Sequence, residues 1–306
     1  MKEDMIEVDG LVKRYDKHTA VNDVRFNVKA GEVFGLLGPN GAGKTTTIEM
    51  LVGLRKPDEG TARLAGFDIR KQIGNVKEVI GVQLQSTSLF ELLTVQEIME
   101  MYASFYPSHV SIADLIDDVL LTEKKKARIK FLSGGQKQRL AIALAIIHDP
   151  KIVFLDEPTT GLDPQARRTL WDIIESLKAR GKTVVLSTHY MDEAHVLCDR
   201  IAIMDQGQLI ALDSPAKLVK SLQSDSAVEF SLLDNADPAF LHSLQGVKQV
   251  SNRNERYVLY TDSIQLTLTD LIQQASHQNI NLEDLQTRTA TLEDVFIHMT
   301  GRSLRE

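Results

Sequence analysis

The residues Gly38-Pro39-Asn40-Gly41-Ala42-Gly43-Lys44-Thr45-Thr46 fill the pattern G-x-x-x-x-G-K-[ST] directly after the apolar run Val33-Phe34-Gly35-Leu36-Leu37. Glycines lack a Cβ, so the backbone can curl tightly and turn successive N–H groups inward at the start of a helix. Such a cradle suits the phosphates of a nucleoside triphosphate, with Lys44 reaching the β- and γ-phosphates and Thr45 ligating Mg²⁺. A second signal is Ile152-Val153-Phe154-Leu155-Asp156-Glu157, an apolar strand ending in adjacent carboxylates. Neighbouring carboxylates repel, a cost that a bound cation or a catalytic duty offsets. Asp156 suits the Mg²⁺ shell, and Glu157 suits a general base for water attacking the γ-phosphate. A third signal is Leu132-Ser133-Gly134-Gly135-Gln136, running into the helix-favouring Lys137-Gln138-Arg139-Leu140-Ala141. Its serine is a natural N-cap, and its glycines leave backbone N–H groups open at the positive end of a helix, which makes a second anion site.

Regular elements must carry these groups. Residues 5–37 alternate and turn like antiparallel strands, with Ile6-Glu7-Val8, Val24-Arg25-Phe26-Asn27-Val28 and a turn at Ala30-Gly31-Glu32, which predicts a mixed β-layer at the start. The helix after the glycine-rich loop should run through Ile48, Met50, Leu51 and Val52 and stop near Gly53. Residues 94–147 read as mostly helical, with Thr94 as N-cap and Glu97 completing a capping box. From 152 to 205 the pattern is β-α-β: a strand at 152–155, a helix from Pro164 to Arg180, a strand at 183–187, a helix, and a strand at 201–204. Near-continuous apolar strands between helices indicate a parallel sheet buried on both faces. Asp205-Gln206-Gly207-Gln208 is a hairpin turn leading into Leu209–Leu212. A small, polar stretch at Ser221–Ser226 reads as a linker. Beyond it come strand 227–233, helix 237–245, strands 247–251 and 256–261, helix 264–278, strand 280–287 and helix 292–300. That β-α-β-β-α-β order is ferredoxin-like.

The chain has 306 residues, 43% apolar and 25% charged, an ordinary globular composition for one large domain and a small one. A net charge of -7 argues against a nucleic-acid binder. The basic cluster of Lys124, Lys125, Lys126, Arg128 and Lys130 reads as a solvated face. Cys198 is the only cysteine, so no internal disulfide forms and a reducing compartment is expected. The charged start Met1-Lys2-Glu3-Asp4 is no secretory signal, and the longest apolar run, Leu140–Ile147, is far short of the roughly 20 residues that span a bilayer.

At the pentapeptide Leu132–Gln136 the chain resembles the ATP-binding subunit of ABC transporters, whose signature is Leu-Ser-Gly-Gly-Gln. The resemblance covers about residues 5–220, with each further station in order. It implies that Tyr15 stacks on adenine, that Gln85 senses Mg²⁺ beside the membrane-domain contact, and that His189 is the switch residue on the γ-phosphate. Gln83 competes with Gln85, but Gln85 stands at the usual distance from Leu93-Thr94-Val95. Asp163, in Pro158-Thr159-Thr160-Gly161-Leu162-Asp163-Pro164, matches the residue that touches the opposite subunit. The family's signature loop faces a second subunit, so Ser133, Gly134, Gly135 and Gln136 would complete a partner's ATP site in a homodimer.

The fold implied is an α/β P-loop NTPase of the ABC ATPase type, a mixed sheet with a helical insert, over residues 1–222. The helical subdomain spans about 86–148, and a small α+β ferredoxin-like accessory domain follows at 223–306. The resemblance implies ATP and Mg²⁺ as cofactors, a separate integral membrane permease, and a peripheral position on the cytoplasmic face of the cell membrane. Coupling would run through the surface near Ser86–Leu93. The ending Thr291-Leu292-Glu293-Asp294-Val295-Phe296, closing in Thr300-Gly301-Arg302, resembles the ABC-2 type drug-exporter branch. Here Thr291 and Asp294 form a capping-box-like start, with Leu292, Val295, Phe296 and Met299 on the apolar face. Competing readings are a soluble ABC ATPase that remodels a ribosome or protein complex, and an importer ATPase with the same nucleotide site. A small GTPase would need an Asn-Lys-x-Asp segment, which the sequence lacks.

Overall fold

The computed structural model describes residues 3–16, 18–85, 88–222, 226–232, 238–253 and 256–300. Their contacts divide the chain into two units, Met1–Ser214 and Pro215–Glu306. The first unit opens with β1 (Asp4–Tyr15), β2 (His18–Lys29), β3 (Val33–Leu37), α1 (Lys44–Leu51), β4 (Glu59–Leu64), β5 (Phe67–Asp68), α2 (Ile73–Val79) and β6 (Ile80–Gln83). A helical insert follows as α3 (Val95–Ala103), α4 (Ile112–Asp118) and α5 (Gly134–Ile146). The chain then alternates through β7 (Ile152–Asp156), α6 (Pro164–Ala179), β8 (Thr183–Thr188), α7 (Met191–Leu197) and β9 (Arg200–Asp205), and turns into β10 (Gln208–Asp213).

The expected opening layer divides between two sheets. β1 and β2 alternate buried and exposed residues, so only one face needs cover, and they join an antiparallel sheet of order β2-β1-β4-β5. All of β3 is buried, which requires cover on both faces, and it enters a six-stranded sheet of order β10-β9-β3-β8-β7-β6. In that sheet every pairing is parallel except the β9–β10 hairpin. β7 and β8 are likewise buried throughout, as their unbroken apolar runs required. One apolar cluster fills the space between the two sheets, with Phe26 stacked on Phe34 at 5.1 Å between ring centroids.

Local signals set the helix ends. Thr94 and Glu97 form the expected capping box on α3, with the Thr94 N–H donating to Glu97 Oε2 at 2.8 Å. Asp163 caps α6 through the Ala166 N–H at 2.8 Å, with Pro164 in the first turn. Arg139, on α5, donates to the carbonyls of Val119 and Leu120 at 2.7 and 2.6 Å. It thereby satisfies orphan acceptors at the end of α4 and binds the helix of the Ser133 loop to the rest of the insert.

The second unit contains α8 (Pro215–Lys220), β11 (Ser226–Leu232), β12 (Val247–Arg253), β13 (Arg256–Thr261), α9 (Ile264–His277), β14 (Leu282–Thr289) and α10 (Leu292–Thr300). Its sheet order β12-β13-β11-β14, antiparallel throughout, is the ferredoxin-like arrangement. The expected helix at 237–245 is a 3₁₀ segment, Pro238–Ser243. Leu241 is buried within it, and Leu244, buried just past its end, follows at the three-residue spacing of such a turn. α8 packs against α10, so it groups with this unit and not with the residues before it. The sequence linker at 221–226 falls in part on 223–225, outside the described residues. So do Ser86 and Thr87 of the coupling surface, residue 233 of the predicted strand, residue 237 of the predicted helix, and the closing Gly301-Arg302.

Candidate functional site

Ligands of parallel sheets bind outside the carboxyl ends of the strands. Strand order sets β6, β7, β8 and β3 side by side. The residues that leave those ends therefore converge: Gln85, then Asp156 and Glu157, then His189, then the 38–46 loop. A cleft of about 630 Å³ is lined there by Tyr15, Asn40, Gly41, Gly43, Lys44, Thr45, Thr46, Gln85, Glu157 and His189, with His18, Ala20 and Thr160.

The loop is built for close backbone approach. Gly43 caps α1 at φ 102°, and a Cβ there would meet the Ala20 carbonyl oxygen at 2.4 Å. A Cβ on Gly38 would meet the Met204 carbonyl oxygen at 2.2 Å and crowd Ala42, which is itself buried. α1 has no side-chain cap, so the N–H groups of its first turn are free for an anion. Lys44, 4% exposed, donates from Nζ to the carbonyls of Gly38 at 2.8 Å and Pro39 at 3.0 Å, and stands 3.5 Å from Glu157 Oε1. Burial pushes its ammonium below the usual lysine range, and Glu157 pulls it partly back.

The adjacent carboxylates point to different partners. Asp156 Oδ1 accepts from the hydroxyls of Thr45, at 3.2 Å, and Ser187, while Oδ2 is buried without a hydrogen-bond partner. Burial raises the Asp156 carboxyl above the usual carboxylate range, against the two hydroxyl bonds. Glu157 adopts φ 47°, a strained value for a residue with a side chain, and its N–H is held by the Ser187 hydroxyl at 3.0 Å and carbonyl at 3.2 Å. Its Oε2 accepts from Thr160 Oγ1 at 3.1 Å and from Gln85 Nε2 at 3.4 Å, with His189 Nδ1 at 3.5 Å. The His189 ring leans on Tyr190, centroids 4.2 Å apart, and Arg167 covers Tyr190 at 4.4 Å.

Of the two glutamines, Gln85 reaches Glu157, whereas Gln83 is buried in β6 and donates to the Leu84 carbonyl. Gln85 also lines a second cleft with Ser88, Leu89 and the α5 residues Lys137 and Gln138. It thus joins the acid site to the helical insert.

Ser133, Gly135, Gln136 and Asp163 line a separate cleft of about 340 Å³, away from the 38–46 loop. Ser133 caps α5 in a reciprocal box with Gln136, at 2.9 and 3.3 Å. Gly134 and Gly135 form its first turn, and a Cβ on Gly135 would meet Ala166 Cβ at 2.9 Å. Sequence reading missed Ser187, Thr160, His18 and Ala20. Ser187 had a visible signal, a hydroxyl directly after the apolar run Val184-Val185-Leu186, but its two partners come from the end of another strand.

Magnesium prefers hard oxygen ligands and is usually held by one or two carboxylates together with phosphates and waters. A buried carboxylate with a spare oxygen beside a threonine hydroxyl meets that requirement, so Asp156 and Thr45 fit the ion. The glycine loop, with Lys44 at its end, fits a triphosphate.

Comparison with known proteins agrees. The family model described as ABC transporter matches residues 21–160. The Linearmycin resistance ATP-binding protein LnrL of Bacillus subtilis (strain 168) is 35% identical, over 99% of this chain and 100% of its own. The Nod factor export ATP-binding protein I of Paraburkholderia xenovorans (strain LB400) is 37% identical, over 100% of both chains. Among solved structures, cbiO1 from Clostridium perfringens, part of the ABC transporter complex cbiONQ, aligns with TM-score 0.65 at 28% identity, over 72% of this chain and 94% of its own. A dimeric ATP-binding cassette bound to ADP and Pi aligns with TM-score 0.62 at 27% identity, over 69% and 98%. Similarity along the whole sequence and a shared fold over most of it make this chain a member of the ABC transporter family, an ATP-binding protein that hydrolyses ATP.

Proposed function

We propose that this ATPase works as a Mg²⁺-dependent dimer on the cytoplasmic face of the membrane and powers a separately encoded permease that exports a solute. The observation that carries the hydrolytic part is Glu157, held in the cleft by Thr160 and Gln85 with Lys44 and His189 beside it. Mg·ATP supplies the scissile γ-phosphoryl group and the charge of the cation. Lys44 and the N–H groups of the loop hold the phosphates, and Thr45 Oγ1 and the Asp156 carboxylate hold the ion. Glu157 accepts a proton from water at its carboxylate while Gln85 and Thr160 orient that carboxylate. His189 stands at the γ-phosphate end, and Tyr15 stacks on the adenine.

The dimer is supported by the separation of the two clefts, since Ser133, Gly135, Gln136 and Asp163 stand apart from the loop they would complete. Export is supported by relatives named for export and resistance, whose similarity extends through the C-terminal unit. Among the described residues no helix is long and apolar enough to cross a membrane, so a transport role calls for a membrane-spanning partner. An apolar groove of about 470 Å³, lined by Leu54, Leu84, Tyr102, Phe105 and Tyr106 next to Gln85, offers that partner a seat. Phe105 is 68% exposed there, much apolar surface for one side chain to leave in water.

Affinity purification of the tagged chain from gently solubilised membranes tests this reading. A polytopic membrane protein should copurify and raise ATP turnover, and Phe105→Asp should abolish that copurification while leaving ATP binding by the isolated chain unchanged. Copurification of a ribosome or a soluble complex instead would remove the transport assignment.

A further inference from the structure

We infer that Arg55 is a positioning residue for the nucleobase, its guanidinium backing the Tyr15 ring on the side away from the cleft and tying that ring to the phosphate-binding helix through Glu49. The inference rests on the reading of Tyr15 as the residue that stacks on adenine. Arg55 Cζ lies 5.2 Å from the Tyr15 ring centroid, and Lys13 Nζ lies 5.7 Å from it. Tyr15 lines the cleft and is 36% exposed, whereas neither cation lines it. The ring thus borders the cleft, while the positive charge packed on it comes from residues outside the cleft lining. A cation over an aromatic face draws π density toward itself, which leaves the opposite face less electron-rich. An electron-rich purine stacks better on such a face.

Both cations are themselves held. Arg55 Nε donates to Glu49 Oε2 at 2.6 Å, and the N–H groups of Leu54 and Arg55 both donate to the Glu49 carbonyl, at 2.9 and 3.0 Å. Lys13 Nζ donates to Asp58 Oδ1 at 2.9 Å and to the Lys56 carbonyl at 3.0 Å. Asp58 Oδ2 also accepts from the Arg14 N–H at 2.7 Å. The end of β1, which carries Tyr15, is clamped by the segment that leaves α1. Lys44 begins that same helix and Glu49 sits on it, so the groups for the phosphates and the base share one rigid frame. An isolated surface ion pair would contribute little. Here the Glu49 pair fixes where the guanidinium lies over the ring.

The test compares binding of ATP with binding of inorganic tripolyphosphate, which has no base, using the full chain and the variants Tyr15→Ala, Arg55→Gln, Arg55→Lys and Tyr15→Ala/Arg55→Gln. Arg55→Gln should weaken ATP binding roughly three- to fivefold, the effect of losing one exposed cation–π contact, and leave tripolyphosphate binding unchanged. KM for ATP should rise while kcat holds, and Arg55→Lys should recover part of the loss. The double variant should bind ATP no more weakly than Tyr15→Ala, because no ring remains to be backed. Equal weakening of both ligands, or an Arg55→Gln effect that persists without Tyr15, would overturn the inference, as would an unchanged Arg55→Gln when Tyr15→Ala does weaken ATP. An unchanged ATP affinity in Tyr15→Ala would instead overturn the stacking reading, and the inference with it.

Discussion

Asp156 shows how a single residue sets function against stability. Burial raises its carboxyl above the usual range, so folding favours the protonated form more than the unfolded chain does. For an acid with a raised folded value, that preference adds stability below the unfolded value and is lost as pH rises through the folded one. Above that raised value the ionised group therefore costs stability until a cation neutralises it. Asp156→Asn should raise the melting temperature of the nucleotide-free protein and abolish Mg²⁺-dependent phosphate release. A lowered melting temperature would contradict the account of a carboxylate kept for a metal. Glu157→Gln keeps the shape of the side chain and removes the base. Phosphate release should fall by about a hundredfold or more, with ATP affinity retained in a filter-binding assay. Lys44→Ala should instead lose ATP affinity itself, since it removes the ammonium at the mouth of the glycine loop.

At the scale of the element, helix α10 is held by an ion pair made on a buried carboxylate. Asp294, fully buried, accepts a bidentate pair from Arg288 at 2.6 and 2.9 Å, the Tyr260 hydroxyl at 2.8 Å and the Thr291 N–H at 2.8 Å. Burial pushes its carboxyl up, but the Arg288 bonds and charge outweigh that and bring it down to about 2. Arg288 in turn donates to Glu229 on β11 at 3.0 Å, so one guanidinium ties the helix to the sheet. For an acid with a depressed value, stability is present above the unfolded value, near 3.8, and is lost as pH falls toward about 2. Asp294→Asn should cost this unit roughly 2 to 3 kcal/mol at neutral pH and flatten its acid sensitivity between those values. Calorimetric melts of both chains across that range would check it. Thr291 and Asp294 were legible as a helix start because a cap is a local pattern. That Asp294 also takes up the Arg288 guanidinium was not, because Arg288 and Tyr260 reach it from different strands.

At the scale of the whole molecule, the proposed functional unit includes a second copy. Ser133→Asp preserves an N-cap, since aspartate caps as well as serine, but sets a negative charge where a partner's γ-phosphate would lie. In a Glu157→Gln background, ATP should double the mass seen by light scattering, and Ser133→Asp should prevent the doubling while each chain still binds ATP. Doubling that survives the added charge would mean that the Ser133 loop does not face a nucleotide across the interface.

The sequence by itself determined the chemistry that neighbouring residues carry: the glycine loop with Lys44 and Thr45, the Asp156-Glu157 strand end, the capped start at Ser133, and the ferredoxin-like order of the last unit. Each depends on backbone constraints that a few consecutive residues satisfy. The tertiary structure alone decided which strands lie together. β8 inserts between β3 and β7, although β6 and β7 precede it in the chain. That order brings Ser187 to Asp156, His189 to Glu157 and Lys44 to Glu157. The Ser133 cleft stands apart from that of the glycine loop. The choice belongs to the apolar faces of whole strands competing for burial on both sides. No local spacing records its outcome.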